Sequence, residues 1–205
     1  MKTVFRRPKR FPLTIILIAL NVAVYICTSI ISGDLVTAPA IVLQYGQFNL
    51  RVMNGWYWQL LTSMFIHANI AHLAGNMLFL LIFGLRAEEL FSSEEYLLIY
   101  LASGLTGNLL TLLQGPDMVS VGASGAIFGV FGATVLYSRR AIGQSIISAL
   151  LYSFFLLMLN IGPEVNVAAH VGGLVFGLAI GYVLALRRKP PAKYQYRFSY
   201  PARAE

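Results

Sequence analysis

The sequence is poor in charge and nearly free of cysteine. Charged residues make up 11% of its 205 residues, whereas soluble domains carry about 25%. Hydrophobic residues make up 58% and lie in long runs, so we expect a membrane protein rather than a soluble one. Cys27 is the single cysteine, which excludes an intrachain disulfide and a cysteine-based metal site.

The apolar runs predict a single all-α domain that crosses the membrane several times. A spanning helix needs about 20 apolar residues, and we place six spans, at residues 13–31, 72–90, 96–113, 124–138, 145–159 and 168–186. The first run is too long for the apolar part of a signal peptide, and no cleavage site with a soluble domain follows. We therefore interpret it as a retained span. The domain then covers 13–187, between a basic N-terminus at 1–12 and a basic, aromatic tail at 188–205.

The basic residues test the number of spans. With six spans, 14 of the 15 Lys and Arg residues lie on the side that holds both termini, and Arg51 alone lies opposite. Lys and Arg concentrate on the cytoplasmic side, so we predict that both termini are cytoplasmic. A five-span arrangement would place the basic residues of one terminus outside. The net charge is +7, and the basic residues lie beside span ends. This placement predicts contact with anionic lipid at the inner face and not with nucleic acid.

The longest connection lies between the first two spans, with 40 residues from Ser32 to Ala71. Loops longer than about 15 residues are usually functional. The run "NGWYWQ" brings Trp56, Tyr57 and Trp58 together, and such aromatic residues favour the membrane–water interface. We predict a long, membrane-associated first loop that lies in the outer leaflet.

Three polar side chains of the predicted spans lie at one depth. At a rise of about 1.5 Å per residue, Ser124 lies about 22 Å, His170 about 25 Å and His72 about 21 Å from the inner end of its span. In a hydrocarbon core of about 30 Å, all three are about 5–10 Å below the outer surface. Intramembrane polar groups are functional candidates, and packing residues alone would have no reason to share a depth. Asn21 and Asn108 are further polar candidates.

Two faces of small residues favour contact between the fourth and sixth spans, because small residues allow helices to approach closely. The fourth span carries Ser124, Gly125, Phe128, Gly129 and Gly132, and the sixth carries His170, Gly173, Gly177 and Gly181. If these faces meet, Ser124 and His170 form an activated-nucleophile pair in which the imidazole accepts the hydroxyl proton. Each feature alone is also typical of helix packing. Their combination favours catalysis by a two-residue dyad, because no carboxylate lies at this depth.

Three motifs resemble those of the rhomboid intramembrane serine proteases. "HANIAHLAGN" resembles the H-x4-H-x3-N signature at the second span of that family, with His67, His72 and Asn76 in place. "GASG" resembles the G-x-S-G of the fourth span, with Ser124, and "AHVGG" resembles the A-H-x-x-G of the sixth, with His170. The resemblance extends over nearly the whole chain and implies a six-helix, rhomboid-like bundle.

The resemblance also implies roles for these residues. Ser124 would be the nucleophile and His170 the base. The oxyanion hole would consist of the Ser124 backbone N–H and the side chains of His72 and Asn76. Near the site, structural support would come from His67, which ties the loop together, and from Gly122, Gly125, Phe128 and Gly173.

Three further positions bear on this resemblance. Glu88 matches a structural acidic position at the inner end of the second span. Gln59 follows Trp58 where the family usually has Arg, so this position lacks the charge of Arg. Phe128 stands where the family often has Tyr, and its ring still allows stacking on His170.

The sequence therefore predicts an intramembrane serine endopeptidase that hydrolyses peptide bonds in or next to transmembrane segments of other membrane proteins. We predict no metal and no cofactor. We expect a multi-pass protein of the cell membrane, in a minimal prokaryotic form, with an active site that opens toward the outer face. Its substrates would carry small or helix-breaking residues and would enter past the fifth span, whose "SFFLLML" lacks tight-packing glycines.

Two other interpretations stay open. A non-proteolytic rhomboid-like chaperone or binding protein would have a broken dyad, whereas both members are present here. A small transporter would carry polar groups along a whole pathway, or inverted repeats with broken helices. The polar groups of this chain lie at one level.

Overall fold

The computed structural model describes residues 13–141 and 165–187, together with residues 147 and 151. The basic N-terminus at 1–12, the tail at 188–205 and nearly all of the predicted fifth span lie outside the described residues. Within them, the chain forms five long and three short α-helices, two short strands and two 3₁₀ turns, at Ser63–Phe65 and Leu112–Gln114. The long helices are α1 (Leu13–Ser32), α5 (Ile70–Leu90), α6 (Ser93–Thr111), α7 (Ser124–Ala141) and α8 (Val167–Arg187). The short elements are α2 (Pro39–Tyr45), β1 (Gln47–Phe48), α3 (Asn49–Met53), α4 (Gln59–Thr62) and β2 (Val119–Ser120).

Four of the described helices are long and apolar enough to cross a membrane. They are α1, α5, α8 and α6 with its 3₁₀ continuation to Gln114. The chain is therefore a mostly helical, multi-pass membrane protein. The number of six spans stays a prediction, because α7, the predicted fourth span, is not among these four helices and the predicted fifth span lies outside the described residues. Helix α7 continues to Ala141, three residues past the predicted end of the fourth span. Arg139 and Arg140 end the apolar run, but their backbone still forms helical hydrogen bonds.

Local capping explains where two of the long helices begin. Asn69 precedes α5, and its side chain accepts a hydrogen bond from the His72 backbone N–H at 2.9 Å. Ser92 and Glu95 form a reciprocal capping box at the start of α6, which lets this helix begin at Ser93, three residues before the predicted start of the span. A capping box satisfies two backbone donors that have no partner within the helix. Both starts therefore follow from polar residues that flank the apolar runs.

The long helices form one bundle with α7 at its centre. Helix α7 packs against α5, α6 and α8, and α8 also packs against α6. Helix α1 lies on the other side of α5. Glu88 connects these two helices, because its carboxylate accepts a hydrogen bond from the Thr14 backbone N–H at 2.6 Å. The central position of α7 places its first residue, Ser124, near the first turns of α5 and α8.

The segment between α1 and α5 folds against the end of α6 and against β2, the strand that leads into α7. Strands β1 and β2 pair antiparallel, with Gln47 opposite Ser120. The Asn49 side chain donates hydrogen bonds to the carbonyl groups of Thr111 and Gly115, at 2.8 and 2.7 Å. Tyr57 is 67% exposed, and its burial in the outer leaflet stays a prediction. The segment thus supports the chain that leads into α7.

Candidate active site

Ser124 is the first residue of α7, at the end of a supported turn. The Gly122 backbone N–H donates to the Ser63 carbonyl at 2.9 Å, and Gly122 has a φ of 116°. A Cβ added to Gly122 would lie 2.7 Å from His72 Nε2, so only glycine fits. The first backbone N–H groups of a helix have no partner within it and carry a partial positive charge. The Ser124 hydroxyl therefore lies beside a cluster of backbone donors.

His170 lies in the first turn of α8, and its Nε2 is 2.8 Å from the Ser124 hydroxyl oxygen. The imidazole is 5% exposed and stacks on the Phe128 ring, with centroids 4.4 Å apart and planes 24° apart. His170 Nδ1 has no hydrogen-bond partner among the described residues. Within the part of the chain that is described, the geometry is that of a two-residue pair without a third, orienting side chain.

Glycine contacts between α7 and α8 make this short distance possible. A Cβ on Gly173 would lie 1.9 Å from the Gly125 carbonyl oxygen, and one on Gly177 would lie 2.0 Å from that of Gly129. Both are far below an ordinary contact of 3.4 Å. The two backbones therefore touch directly. The structure thus places the predicted small-residue faces against each other, and Ser124 and His170 lie at the end of that contact where α7 and α8 begin.

His72 and Asn76 extend from α5 toward the same place. Together with Ser124 and His170 they line a cavity of about 430 Å³, whose deeper wall includes Phe79, Phe83 and Phe131. The Asn76 amide nitrogen donates to the His72 carbonyl at 2.9 Å, and its second N–H leaves a further donor. A Cβ atom added to Gly122 would lie 3.9 Å from this nitrogen. Two polar side chains of α5 therefore border the turn that precedes Ser124.

These features agree with the comparisons to known proteins. A family model described as the Rhomboid domain matches residues 54–187, which include both helices of the Ser124–His170 pair. The chain belongs to the rhomboid family. The putative rhomboid protease YdcA of Bacillus subtilis (strain 168) is 33% identical in an alignment of 185 residues that covers 87% of this rhomboid and 92% of YdcA.

Two other relatives are longer than this rhomboid. The rhomboid protease GluP of Bacillus subtilis (strain 168) is 34% identical in an alignment of 185 residues that covers 84% of this chain and 35% of GluP. RHOMBOID-like protein 6, mitochondrial, of Arabidopsis thaliana is 40% identical in an alignment of 136 residues that covers 63% of this chain and 44% of the relative. The chain thus spans nearly all of YdcA and less than half of the other two. The family comprises intramembrane serine proteases, which supports a hydrolase.

His67 lies beside the cavity of this rhomboid and not in its wall. The imidazole is fully buried, with Nδ1 3.3 Å from the Phe65 carbonyl and its ring edge on His72. Burial, and to a smaller extent the neighbouring His72, lowers the pKa of His67 to about 4, so this side chain is neutral at pH 7. The His67 carbonyl accepts a hydrogen bond from the Thr37 hydroxyl at 2.7 Å. These contacts support the predicted structural role.

Two other polar residues that the sequence singled out lie away from the cavity. Asn21 donates to the Leu17 carbonyl of its own helix at 2.8 Å. Asn108 donates to the Leu60 carbonyl and the Ser63 hydroxyl, at 2.7 and 2.9 Å. Asn108 therefore holds the loop to α6 and serves packing, so intramembrane polarity alone did not identify the site.

Gln59 replaces the expected Arg of this family without leaving the loop unattached. Its side chain is fully buried and accepts from the Phe48 backbone N–H at 3.0 Å. The amide nitrogen donates to the carbonyl groups of Leu43 and Gln44, at 2.8 and 3.2 Å. Arg51 donates to the same Leu43 carbonyl at 2.7 Å. A neutral amide that both donates and accepts therefore joins β1 to the end of α2.

Sequence reasoning missed Asn166, which precedes α8 by one residue. Its side-chain oxygen accepts from the Ala169 backbone N–H at 3.1 Å. Its amide nitrogen donates to the hydroxyl groups of Ser120 and Thr111, both at 2.8 Å. The sequence held one signal for it, because Asn is favoured immediately before a helix. The partners of its two donor contacts, Ser120 and Thr111, are 46 and 55 positions away in the sequence. No local sequence pattern indicates such distant partners.

Proposed function

We propose that this rhomboid is an intramembrane serine endopeptidase that hydrolyses peptide bonds in or next to transmembrane segments of other membrane proteins. The observation that carries this proposal is the 2.8 Å contact between the Ser124 hydroxyl oxygen and His170 Nε2. A Ser–His pair within hydrogen-bond distance is the arrangement of an activated nucleophile. The cavity beside it, with His72 and Asn76 in its wall, offers room for a peptide and donors for its carbonyl oxygen.

The first half of the reaction forms an acyl-enzyme. The Ser124 hydroxyl oxygen attacks the peptide carbonyl carbon while His170 Nε2 accepts the hydroxyl proton. Nδ1 carries the ring proton at this stage, because Nε2 must accept. The protonated imidazole then gives its Nε2 proton to the amide nitrogen, the C–N bond breaks and the new amine leaves. General-base catalysis by a positioned His contributes about 10²- to 10⁴-fold to such a step.

The second half is the reverse of the first, with water in place of the amine. His170 Nε2 accepts a proton from water while the water oxygen attacks the ester carbonyl. The C–O bond to Ser124 then breaks as His170 Nε2 gives that proton to the serine oxygen, which restores the free enzyme and releases the acid. In both halves negative charge develops on the carbonyl oxygen. We assign its stabilisation to the Ser124 backbone N–H and the side chains of His72 and Asn76. Each well-placed donor of this kind contributes about 3–4 kcal/mol.

The orientation in the membrane follows from the charges of the sequence. We propose that both termini are cytoplasmic, that their basic residues contact anionic lipid and that the cavity opens toward the outer face. Substrates would be transmembrane proteins with small or helix-breaking residues near the outer end of the span, because a helix must unwind to present its peptide bond. The proposed entry past residues 145–159 concerns a segment outside the described residues.

Cleavage of a transmembrane substrate in liposomes tests the proposal. We expect cleavage by the wild type, no cleavage by Ser124→Ala and a loss of about 10²- to 10⁴-fold in His170→Ala. Ser103→Ala is the control, because Ser103 is a serine of another long helix, α6, where it is fully buried and lies outside the cavity. A serine-directed phosphonate should label the wild type and Ser103→Ala but not Ser124→Ala. Equal cleavage by all variants would contradict the proposal, and absence of both cleavage and labelling in the wild type would favour a non-proteolytic membrane chaperone.

A further inference from the structure

A single amide connects the helix that carries His170 to the strand that leads to Ser124. Asn166 precedes α8, and its backbone carbonyl accepts a hydrogen bond from the His170 backbone N–H at 3.2 Å. Its side chain reaches Ser120, at 2.8 Å, and Ser120 ends β2 four residues before Ser124. We propose that Asn166 is a positioning residue, which sets the distance between His170 Nε2 and the Ser124 hydroxyl by tying the start of α8 to β2. This inference rests on the proposed function.

All of the hydrogen-bonding groups of the Asn166 side chain are used. An amide offers two N–H donors and one carbonyl oxygen. The oxygen accepts from the Ala169 backbone N–H, and the nitrogen donates to Ser120 and Thr111. An Asp or Ser before the helix would also accept from the backbone N–H, but neither offers two N–H donors. The position therefore uses more than the capping function that its place in the sequence indicates.

The two hydroxyl groups that accept from Asn166 are themselves held in place. Ser120 lies opposite Gln47 in the β1–β2 pair, and Gln47 donates to the Asn108 carbonyl of α6 at 2.9 Å. Thr111 is fully buried and donates to the Gly107 carbonyl at 3.0 Å. Asn166 thus bonds to two fixed points, one on the approach to Ser124 and one on α6.

The amide and the glycine contacts restrain different motions of α8. At the start of this helix, Ala169 lies against Gly107 and Gly125, because Cβ atoms there would be 2.4 and 3.2 Å from its carbonyl oxygen. These contacts limit how closely α8 approaches its neighbours. They do not prevent the first turn from rotating or moving outward along α7. The bond from Asn166 to Ser120 opposes that motion at the end of the helix where His170 lies.

Three variants separate a positioning role from a merely structural one. Ser120→Ala removes the bond to β2 and keeps the cap and the bond to Thr111. Thr111→Val is the matched control, since it removes one bond to the same amide but on the α6 side. Asn166→Ala removes all three side-chain bonds. The measurements are the thermal midpoint, kcat and KM on a transmembrane substrate, and the labelling rate of Ser124 by a phosphonate, in intact full-length protein.

A positioning role predicts a split between these measurements. We expect Ser120→Ala to lower both kcat and the labelling rate by about three- to tenfold, the effect of one hydrogen bond, with KM within about twofold. Thr111→Val should lower the thermal midpoint by about as much as Ser120→Ala lowers it. It should leave the labelling rate unchanged. Ser120→Ala and Asn166→Ala together should slow labelling no more than Asn166→Ala alone, because coupled residues are not additive.

The opposite results would overturn the inference and not the proposed function. A Ser120→Ala protein that is labelled at the wild-type rate, or a Thr111→Val protein that is slowed equally, would show that Asn166 only stabilises the fold. If Asn166→Ala does not fold, the comparison of Ser120→Ala with Thr111→Val decides alone. Failure of the wild type itself to be labelled at Ser124 would instead contradict the proposed function.

Discussion

The close contact between α7 and α8 leads to one prediction whose size follows from interatomic distances. In Gly173→Ala, the new Cβ would lie 1.9 Å from the Gly125 carbonyl oxygen. An ordinary contact is 3.4 Å or more, so the two helices must separate by about 1.5 Å at this level. Gly173 is three residues from His170, and Gly125 follows Ser124 directly. We therefore expect nearly the whole of this separation to appear between Ser124 and His170, the proposed catalytic pair.

The consequence is a broken hydrogen bond between the proposed nucleophile and base. The distance from the Ser124 hydroxyl to His170 Nε2 would increase from 2.8 Å to about 4 Å, beyond hydrogen-bond range. A misplacement of about 1 Å costs on the order of 10²-fold in rate. We expect a loss of about that size in cleavage of a transmembrane substrate and in phosphonate labelling of Ser124, measured at a temperature where the variant is folded.

Gly181→Ala is the matched control on the same helix. Its Cβ would lie 2.6 Å from the Ala133 carbonyl oxygen, so the substitution also forces the helices apart. The site of this strain is eleven residues from His170, or about 16 Å along the helix. We expect a lower thermal midpoint in both variants but a wild-type labelling rate in Gly181→Ala. If folded Gly173→Ala is labelled at the wild-type rate, close backbone contact does not position the pair.

Three further predictions concern the surroundings of the pair. Asn76→Ala should lower kcat by about 10²- to 10³-fold with little change in KM; a change in KM alone would contradict a role in the oxyanion hole. Phe128→Tyr should keep the stack on His170 and most of the cleavage rate, whereas Phe128→Ala should lose the stack and cleave more slowly. Cleavage assays of the two variants test this difference. Gln59→Leu should lower the free energy of unfolding in detergent by about 1–3 kcal/mol, since backbone groups lose their buried partners; an unchanged unfolding midpoint would show that Arg51 holds the loop without it.

Several parts of the fold were predictable because they depend on local composition. Apolar runs identified α1, α5, α6 and α8 to within a few residues, since a helix in lipid satisfies its own backbone hydrogen bonds and needs only apolar side chains. The ends were less accurate for an equally local reason. Asn69 and the Ser92–Glu95 capping box start helices before the apolar run begins, and α7 continues past it through two arginines.

The candidate site was predictable because depth and helical face can be counted along a chain. Ser124, His72 and His170 share a depth by the rise of the helix, and the glycines near them share a face. The structure brings these residues to one cavity. Intramembrane polarity alone had also selected Asn108, which holds a loop. Counting gives depth and face, but it does not show which helix lies opposite.

The sequence by itself determined that this is a membrane-spanning helical protein and named the serine and histidines of its candidate site. Those conclusions rest on hydrophobicity and on periods of a few residues, which are properties of the chain alone. Tertiary structure decided the rest. The buried amide of Gln59 and the three bonds of Asn166 depend on partners from distant parts of the chain. Their geometry exists only after β1, β2 and the ends of α6 and α8 have come together, because a hydrogen bond is set by the distance between atoms and not by their separation in sequence.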